Sequence, residues 1–465
     1  MKHLSLIVPA ALACCFVMFA QAAEKEKPKP PPTAAKPTMT PGPGEQKKAV
    51  GVTLKCATPD AIIRYTLDGS TPGPDGGTLV TAPIAVDKTA TLTAVAFAKD
   101  LAPSPAAFGV YLFDAKPGLS TFHIGNSLTN TTYKFADFVR TAGVLHQYRS
   151  FTAGGHLTWQ LWDNQLPKRQ KEWDGHLAAY KRIDHFTCQP RDFTKNSVDH
   201  EAEYAIKFFE VVRKHSPEMQ PWFYAEWVEQ NRQRPTDKAK VPSNQMKQLY
   251  PAMTWEESMS AMLLYNEDLQ VKVVETYKDG KRPRVLPSCI AMGWIKNMID
   301  NGKLPGAEPG SMVPFLFSND SVHPNVKGGY LVDMTWYAAF YRESPEGKVL
   351  PVGTGLTAEQ AKVMQRLAWD VVKNYPDCGL YEEGKTAVAA PQFVAAAGNK
   401  KDYLPVTLFS ATPGAWFRYT LDGTVPTRTR GYLYCGVASV PRGAEIRAIA
   451  YKSGMADSPV SRAKP

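Results

Sequence analysis

Nothing in the chain resembles a zinc site: no cysteines and histidines cluster at metal-ligand spacing, so neither a structural metal nor a cofactor is expected. A disulfide framework is also missing. Of seven cysteines, Cys14 and Cys15 fall in the first apolar run, and the other five, at 56, 188, 289, 378 and 435, are odd in number and widely spaced. Long apolar stretches are scarce. Leu4 to Phe19 is too short to cross a bilayer comfortably, and no later stretch approaches ~18 uninterrupted apolar residues. With Lys2 before it and Ala20-Gln21-Ala22 after it, that run reads as a signal peptide over 1–22, cleaved after Ala22. Cys14 lies mid-run, which argues against a lipid-anchored cysteine. The expectation is a secreted or periplasmic protein with no integral membrane segment once the signal is removed.

Acidic residues are outnumbered, 44 against 54 basic, for a net charge of +10. The basic residues are scattered, however, and six lysines sit between 25 and 48, so no nucleic-acid partner is expected. An exported chain of this charge would more naturally meet a cell-wall or acidic-polysaccharide surface.

What is present is a globular composition, 44% hydrophobic and 21% charged over 465 residues, enough for two to four domains. Residues 23–48 are rich in proline and lysine and predict an extended linker. Then "CATPDAIIRYTLDGSTP" at 56–72 recurs as "SATPGAWFRYTLDGTVP" at 410–426, at an offset of 354 residues held as far as "TAVAFAK" against "RAIAYKS". Two copies of one module therefore bracket the chain, at 49–113 and 400–465. Short alternating runs and the Asp68-Gly69 and Asp422-Gly423 pairs predict small antiparallel β-sandwiches with tight turns. The repeat resembles the C-terminal module of chitobiases and β-hexosaminidases, which implies an all-β, immunoglobulin-like sandwich. A sugar-facing role and a spacer role both stay open for it.

The middle, 117–350, alternates apolar β-rich segments with amphipathic helical ones; in the first helix Phe135, Phe138, Val139 and Ala142 recur at i, i+3, i+4 and i+7. That predicts an α/β unit, a parallel sheet sandwiched by helices with chemistry at the carboxyl ends of its strands. A helical connector is expected over 351–399. "TFHIGNSLTN" at 121–130 reads as a strand stopping on a small turn, with Ser127 at the strand end where a helix should begin.

A serine hydroxyl becomes a nucleophile when a base takes its proton and a third group orients that base. "SNDSVHPN" at 318–325 supplies both within one polar turn: Asp320, three residues before His323, can fold its carboxylate back onto the imidazole. "GNSLT" and "DSVHPN" resemble the first and last blocks of the SGNH hydrolases, the GDSL-like esterase superfamily. The resemblance spans most of 118–345 and implies a flavodoxin-like sheet, with Ser127 as nucleophile, His323 as general base and Asp320 as its orienting partner. Asn126 stands where that family commonly has Asp. The family's oxyanion donors would map to the backbone amide of Ser127, helped by the dipole of the helix it opens, and to Gly155, with Gly154 as fallback, in "FTAGGHLTW". Its Gly-x-Asn-Asp block is absent. The corresponding strand end reads "HFTCQPRD", where Gln189 could substitute as donor or simply satisfy backbone. Cys188 beside it reads as a small buried hydrophobe. Trp159, Trp222 and Trp227 are candidate substrate contacts that could equally be packing, and nothing decides whether Trp294 joins the wall.

Together these features predict a secreted ester hydrolase deacetylating a polysaccharide or glycan. Two alternatives stay open: a non-catalytic carbohydrate-binding or surface-attachment protein, and a lipid esterase. Oligomeric state is not legible.

Overall fold

The computed structural model describes residues 32–229, 254–397 and 402–465, apart from Asp192, Thr194, Asp279 and Asn319. The signal segment predicted over 1–22 lies outside the described residues. In the middle region five strands form one sheet: β1 (Lys116–Gly125), β2 (Val144–Thr152), β3 (His185–Cys188), β4 (Gln220–Tyr224) and β5 (Arg284–Leu286). Their order is β2-β1-β3-β4-β5 and every neighbouring pair is parallel. Parallel neighbours need crossovers. These carry α1 (Phe135–Thr141), α2 (Gln170–Ala178), α3 (Val198–His215) and α4 (Trp255–Thr276) in turn. After β5 follow α5 (Ser288–Asp300), a short α6 (Met312–Leu316), α7 (Val326–Tyr341) and α8 (Ala358–Asn374). None of the described helices is long and apolar enough to cross a membrane.

Helices cover both faces because successive side chains of a strand point opposite ways. On β1, Phe122 meets Trp173 of α2 at 5.0 Å between ring centres, while His123 meets Trp336 of α7 at 4.7 Å on the other side. Both β1 side chains are fully buried. Helix starts follow local chemistry. Thr254 and Glu257 form a reciprocal cap on α4, and Thr357 and Gln360 do the same on α8.

Each flank is a pair of β-sheets. In the first, Thr38–Thr40, Val50–Lys55 and Ile84–Val86 face a five-stranded sheet built around Ile62–Thr66, Ala90–Phe97 and Ala107–Leu112. In the second, Gln392–Ala395, Tyr403–Phe409 and Ala438–Pro441 accompany Trp416–Thr420, Ile446–Tyr451 and two shorter strands. Both units begin earlier than the repeat suggested. The proline-rich 32–48 segment is not a free linker: Thr38–Thr40 pairs as an edge strand and Ala34 is buried in the first unit's core. Proline is tolerated there because one side of an edge strand needs no N–H donor. Likewise Gln392–Ala395 pairs with Tyr403–Phe409, although the sequence placed it in the helical connector.

The repeated turn is identical in chemistry. Asp68 accepts from the N–H and hydroxyl of Ser70 at 3.0 and 2.6 Å, and Asp422 does the same for Thr424 at the same distances. The hydroxyl is what the Ser-to-Thr change preserves.

The two copies pack differently. Trp416 and Arg418 are buried against the central unit, Trp416 packing edge-on to Trp294 of α5. Arg418 is fully buried and pairs with Glu267 of α4 at 2.5 Å, Leu433 N–H donates to Ser260 Oγ at 2.7 Å, and Tyr419 hydroxyl donates to Glu257 at 3.0 Å. Burial raises the Glu267 carboxyl to about 6 even against the pull of Arg418. In the first copy the equivalent Ile62 and Leu79 stay 48% and 43% exposed, and Arg64 reaches the Gly77 carbonyl at 3.4 Å. Removing one partner of a buried pair strands the other charge. Glu267→Ala is therefore expected to cost about 3–5 kcal/mol in urea unfolding, while Arg64→Ala should stay within about 0.5 kcal/mol; equal losses would contradict the packing.

Candidate active site

β1 ends at Gly125 on a turn with no room for a side chain: a Cβ there would collide with Thr129 and Gln189. The chain then runs Asn126-Ser127-Leu128 into a 3-10 turn, Thr129–Thr132, and α1 starts only at Phe135. Ser127 thus opens a short 3-10 turn, and the helix dipole expected at its amide is not aligned there. Proximity to strand ends remains.

The second polar segment arrives from α6. Asn325 caps α7 by accepting from Lys327 and Gly328 N–H, and its own amide donates to the Phe315 and Phe317 carbonyls at 3.0 Å each. Trp227 Nε1–H holds the same loop through the Val322 carbonyl at 2.8 Å. These bonds set His323 against β1. His323 Nε2 stands 2.8 Å from Ser127 Oγ, across 196 residues of chain, and His323 Nδ1 stands 2.6 Å from Asp320 Oδ2. The other Asp320 oxygen accepts from Val322 and His323 N–H at 3.0 and 2.7 Å. Burial works to raise the Asp320 carboxyl, but the His323 side chain and those two N–H groups outweigh it and hold the pKa at about 2. A serine, an imidazole and an ionised carboxylate are thus in line, the arrangement that can pass a proton from hydroxyl to imidazole.

Gln189 is also brought here, but not as an oxyanion donor. It is almost wholly buried, and its side-chain oxygen accepts from Asn126 N–H and Thr129 N–H at 3.1 Å each and from the Thr129 hydroxyl. Its amide nitrogen donates to Asn126 Oδ1 at 3.0 Å and to the Glu226 carboxylate. Both N–H groups are thereby engaged, so none is left for a substrate. Gln189 instead ties the serine turn to the ends of β3 and β4. Gly155 lies just past β2 with φ +71, its carbonyl accepting from Arg191, and Ala153 N–H donates to Gly125 at 3.2 Å, which draws this loop toward the β1 end.

Residues 41–107 and 395–462 match the family model of the Chitobiase/beta-hexosaminidase C-terminal domain. The flanking repeats are chitobiase-type modules. No curated protein matches the chain. Among solved structures, a DUF4886 family protein from Bacteroides uniformis is 14% identical, with 56% of this chain and 96% of that one covered, at a TM-score of 0.38. A Slackia heliotrinireducens protein assigned to the SGNH hydrolases is 15% identical over 47% of this chain and 96% of its own, at 0.29. A Parabacteroides merdae protein assigned as a GDSL-like lipase is 14% identical over 50% and 100%, at 0.31.

The aromatic candidates separate. Trp222 is fully buried, donating to His185 Nδ1 at 3.1 Å and packing edge-on to Phe340, so it is core. Trp227 is buried as the support of the His323 loop described above. Strand-end tryptophans turned inward because a parallel sheet is covered on both faces. Trp159 is partly exposed beside His200, and Trp294 packs on Trp416 and Tyr434 of the second chitobiase-type module. The cavity that opens beside Ser127, about 340 Å³, is lined instead by Asn130, Tyr133, Lys134, Ser318 and Asp333 among others. Sequence reasoning passed over these. Tyr133, 63% exposed next to the serine turn, could have been found by asking which aromatic the polar turn leaves uncovered. A larger cavity of about 760 Å³ lies between the Asp68-Gly69 turn of the first module and α8 and shares none of these residues.

Beneath the turn, Cys188 is buried, which pushes its thiol well up, and the charge of Glu201 adds to this; it fits the reading of a small apolar side chain. Glu201 itself is fully buried, accepting from Thr158 and, at 2.6 Å, from Asn196. Burial raises its carboxyl to about 7 against those hydrogen bonds. A carboxyl that binds its proton more tightly when folded adds stability fully below its unfolded pKa, and that contribution fades as pH rises through about 7. Thermal unfolding of wild type relative to Glu201→Gln should therefore worsen from about pH 5 to pH 8; a constant difference would contradict it. Gln189→Ala should cost about 1–3 kcal/mol in urea unfolding, since it orphans buried N–H groups, whereas a donor used only by a transition state would leave stability unchanged.

Proposed function

We propose that the chain is a serine carboxylic-ester hydrolase of the SGNH type, exported, and acting on acylated carbohydrate. The observation that carries the reaction type is the run Ser127 Oγ, His323 Nε2, His323 Nδ1, Asp320 Oδ2, at 2.8 and 2.6 Å. The strand order with β1 second from the edge, 2-1-3-4-5, is that of flavodoxin-like sheets, which bind ligands at strand carboxyl ends, where Ser127 sits.

In the first half-reaction Ser127 Oγ attacks the ester carbonyl carbon as its proton moves to His323 Nε2. The carbon–alkoxy bond then breaks, and the leaving alcohol takes that proton. In the second, water attacks the acyl carbon and gives a proton to His323. The acyl–Oγ bond breaks, the carboxylic acid departs and Ser127 recovers its proton. Asp320, ionised far below neutral pH, keeps Nδ1 protonated so that Nε2 faces the serine. The developing oxyanion falls to backbone amides, those of Ser127 and Gly155, because the side-chain amide of Gln189 is occupied. The carbohydrate half of the reading rests on the predicted signal segment and on the chitobiase-type modules.

That occupied glutamine also favours a second reading. A site short of one oxyanion donor forgoes ~10²–10³ in rate, as expected of a glycan-binding protein that has lost turnover. The test is hydrolysis of a chromogenic acetate ester. Ser127→Ala is expected to lower kcat by at least about 10³ and Asp320→Ala by about 10⁴ or less. Equal rates for wild type and Ser127→Ala would leave the binding reading in place. A series of acyl chain lengths separates acetate esters from lipid esters, the expected preference being for acetyl.

A further inference from the structure

Asp333 sits on the inner face of α7, 1% exposed, and neither carboxyl oxygen has a hydrogen-bond partner. Buried polar groups in folded proteins are almost always satisfied, and one that is not marks a missing partner. Asp333 lines the cavity beside Ser127. Gly329 lies one turn earlier on the same helix face, close against the Thr131 carbonyl, and both residues also line the cavity. Burial drives this carboxyl well above the ordinary range, against the pull of Lys134, and both of its oxygens keep free hydrogen-bonding capacity. At the mouth, the ring of Tyr133 stands 63% exposed.

Those features sort possible occupants. An aliphatic chain over Asp333 would leave both oxygens unpaired. A cation would meet the Lys134 ammonium that also lines the cavity, and an anion without hydrogens to donate would still leave an Asp333 oxygen unpaired. A neutral molecule with an apolar face for the exposed side of Tyr133, and hydroxyls that can donate to Asp333 and accept from Lys134, which stands 5.8 Å from the centre of that ring, meets all three groups. We infer that the cavity beside Ser127 is a subsite for an uncharged polyhydroxylated ring, a glycosyl unit, which stacks on Tyr133 and hydrogen-bonds to Asp333. This rests on the ester-hydrolase reading and gives it a specificity-determining residue.

The experiment compares kcat/KM for an O-acetylated methyl glucopyranoside with that for 4-nitrophenyl acetate, which shares the acyl group and lacks hydroxyls. The ratio of the two is expected to fall at least tenfold in Asp333→Leu and in Tyr133→Ala, because a site built to bond a hydroxyl discriminates by its unpaired groups. Asp333→Asn keeps a donor and an acceptor at the same size and should hold the ratio within about threefold; it also answers for the fold if the Leu variant does not accumulate. A smaller fall in Asp333→Leu, or an equal fall in Asp333→Asn, overturns the inference. If wild type hydrolyses neither ester, the hydrolase reading fails by itself. Calorimetry of the acetylated glycoside on Ser127→Ala protein then decides the subsite: binding that disappears on adding Asp333→Leu upholds it, and no binding, or binding indifferent to Asp333, overturns it.

Discussion

The side-chain oxygen of Gln189 collects the N–H groups of Asn126 and Thr129 together with the Thr129 hydroxyl, and so fixes the turn that presents Ser127. Its amide nitrogen faces Asn126 Oδ1 and Glu226, which lies just beyond β4. One carboxamide therefore joins the carboxyl ends of β1, β3 and β4. Gly125 has no side chain because this carboxamide occupies the space a Cβ would need. The serine side is thus set by buried polar bonds, and the histidine side by the Asn325 and Trp227 bonds to its loop. The two sides also meet, the Thr131 carbonyl lying against Gly329 of α7, and Glu226, bonded to Gln189, adjoins Trp227, bonded to the His323 loop, so the 2.8 Å approach of Ser127 to His323 rests on linked supports.

The repeat shows how little a local motif says about its surroundings. Arg64 and Arg418 occupy equivalent strand positions and reach equivalent glycine carbonyls, those of Gly77 and Gly431. Among the described residues only the second meets a carboxylate, because α4 carries Glu267 opposite it. The same outward-facing stripe is therefore an interface in one module and open surface in the other. The first module contacts the central unit through a different surface, its Asp68-Gly69 turn lying against Leu350 and Val352.

Asp333 shows the opposite economy to Gln189. Gln189 is fully bonded and serves position, while Asp333 is buried without a partner beside the serine. Unsatisfied polar groups of this kind destabilise a fold and are retained where function uses them. The two residues divide the site into a rigid half and a receptive half.

Much of the site was legible because its chemistry is local. Asp320 and His323 are three residues apart, so their contact needs a single turn, and Ser127 follows an apolar run that had to be a strand. The repeat was legible from an identical hexapeptide, and the sheet from alternating apolar segments. The sequence alone determined these, since they depend on near neighbours and on period. Tertiary structure alone decided the rest. Gln189 looked like a donor until its partners arrived from 63, 60 and 37 residues away. Trp222 and Trp227 could be substrate contacts or packing on sequence alone, and their burial under the helices on both faces of the sheet makes them packing. Asp333, one polar residue in an apolar helix, had nothing in the sequence to mark it, and only the packing of α7 beside the serine turn brings it to the cavity. Whether a side chain binds, supports or fills depends on what lies opposite it, and chain order does not encode that distance.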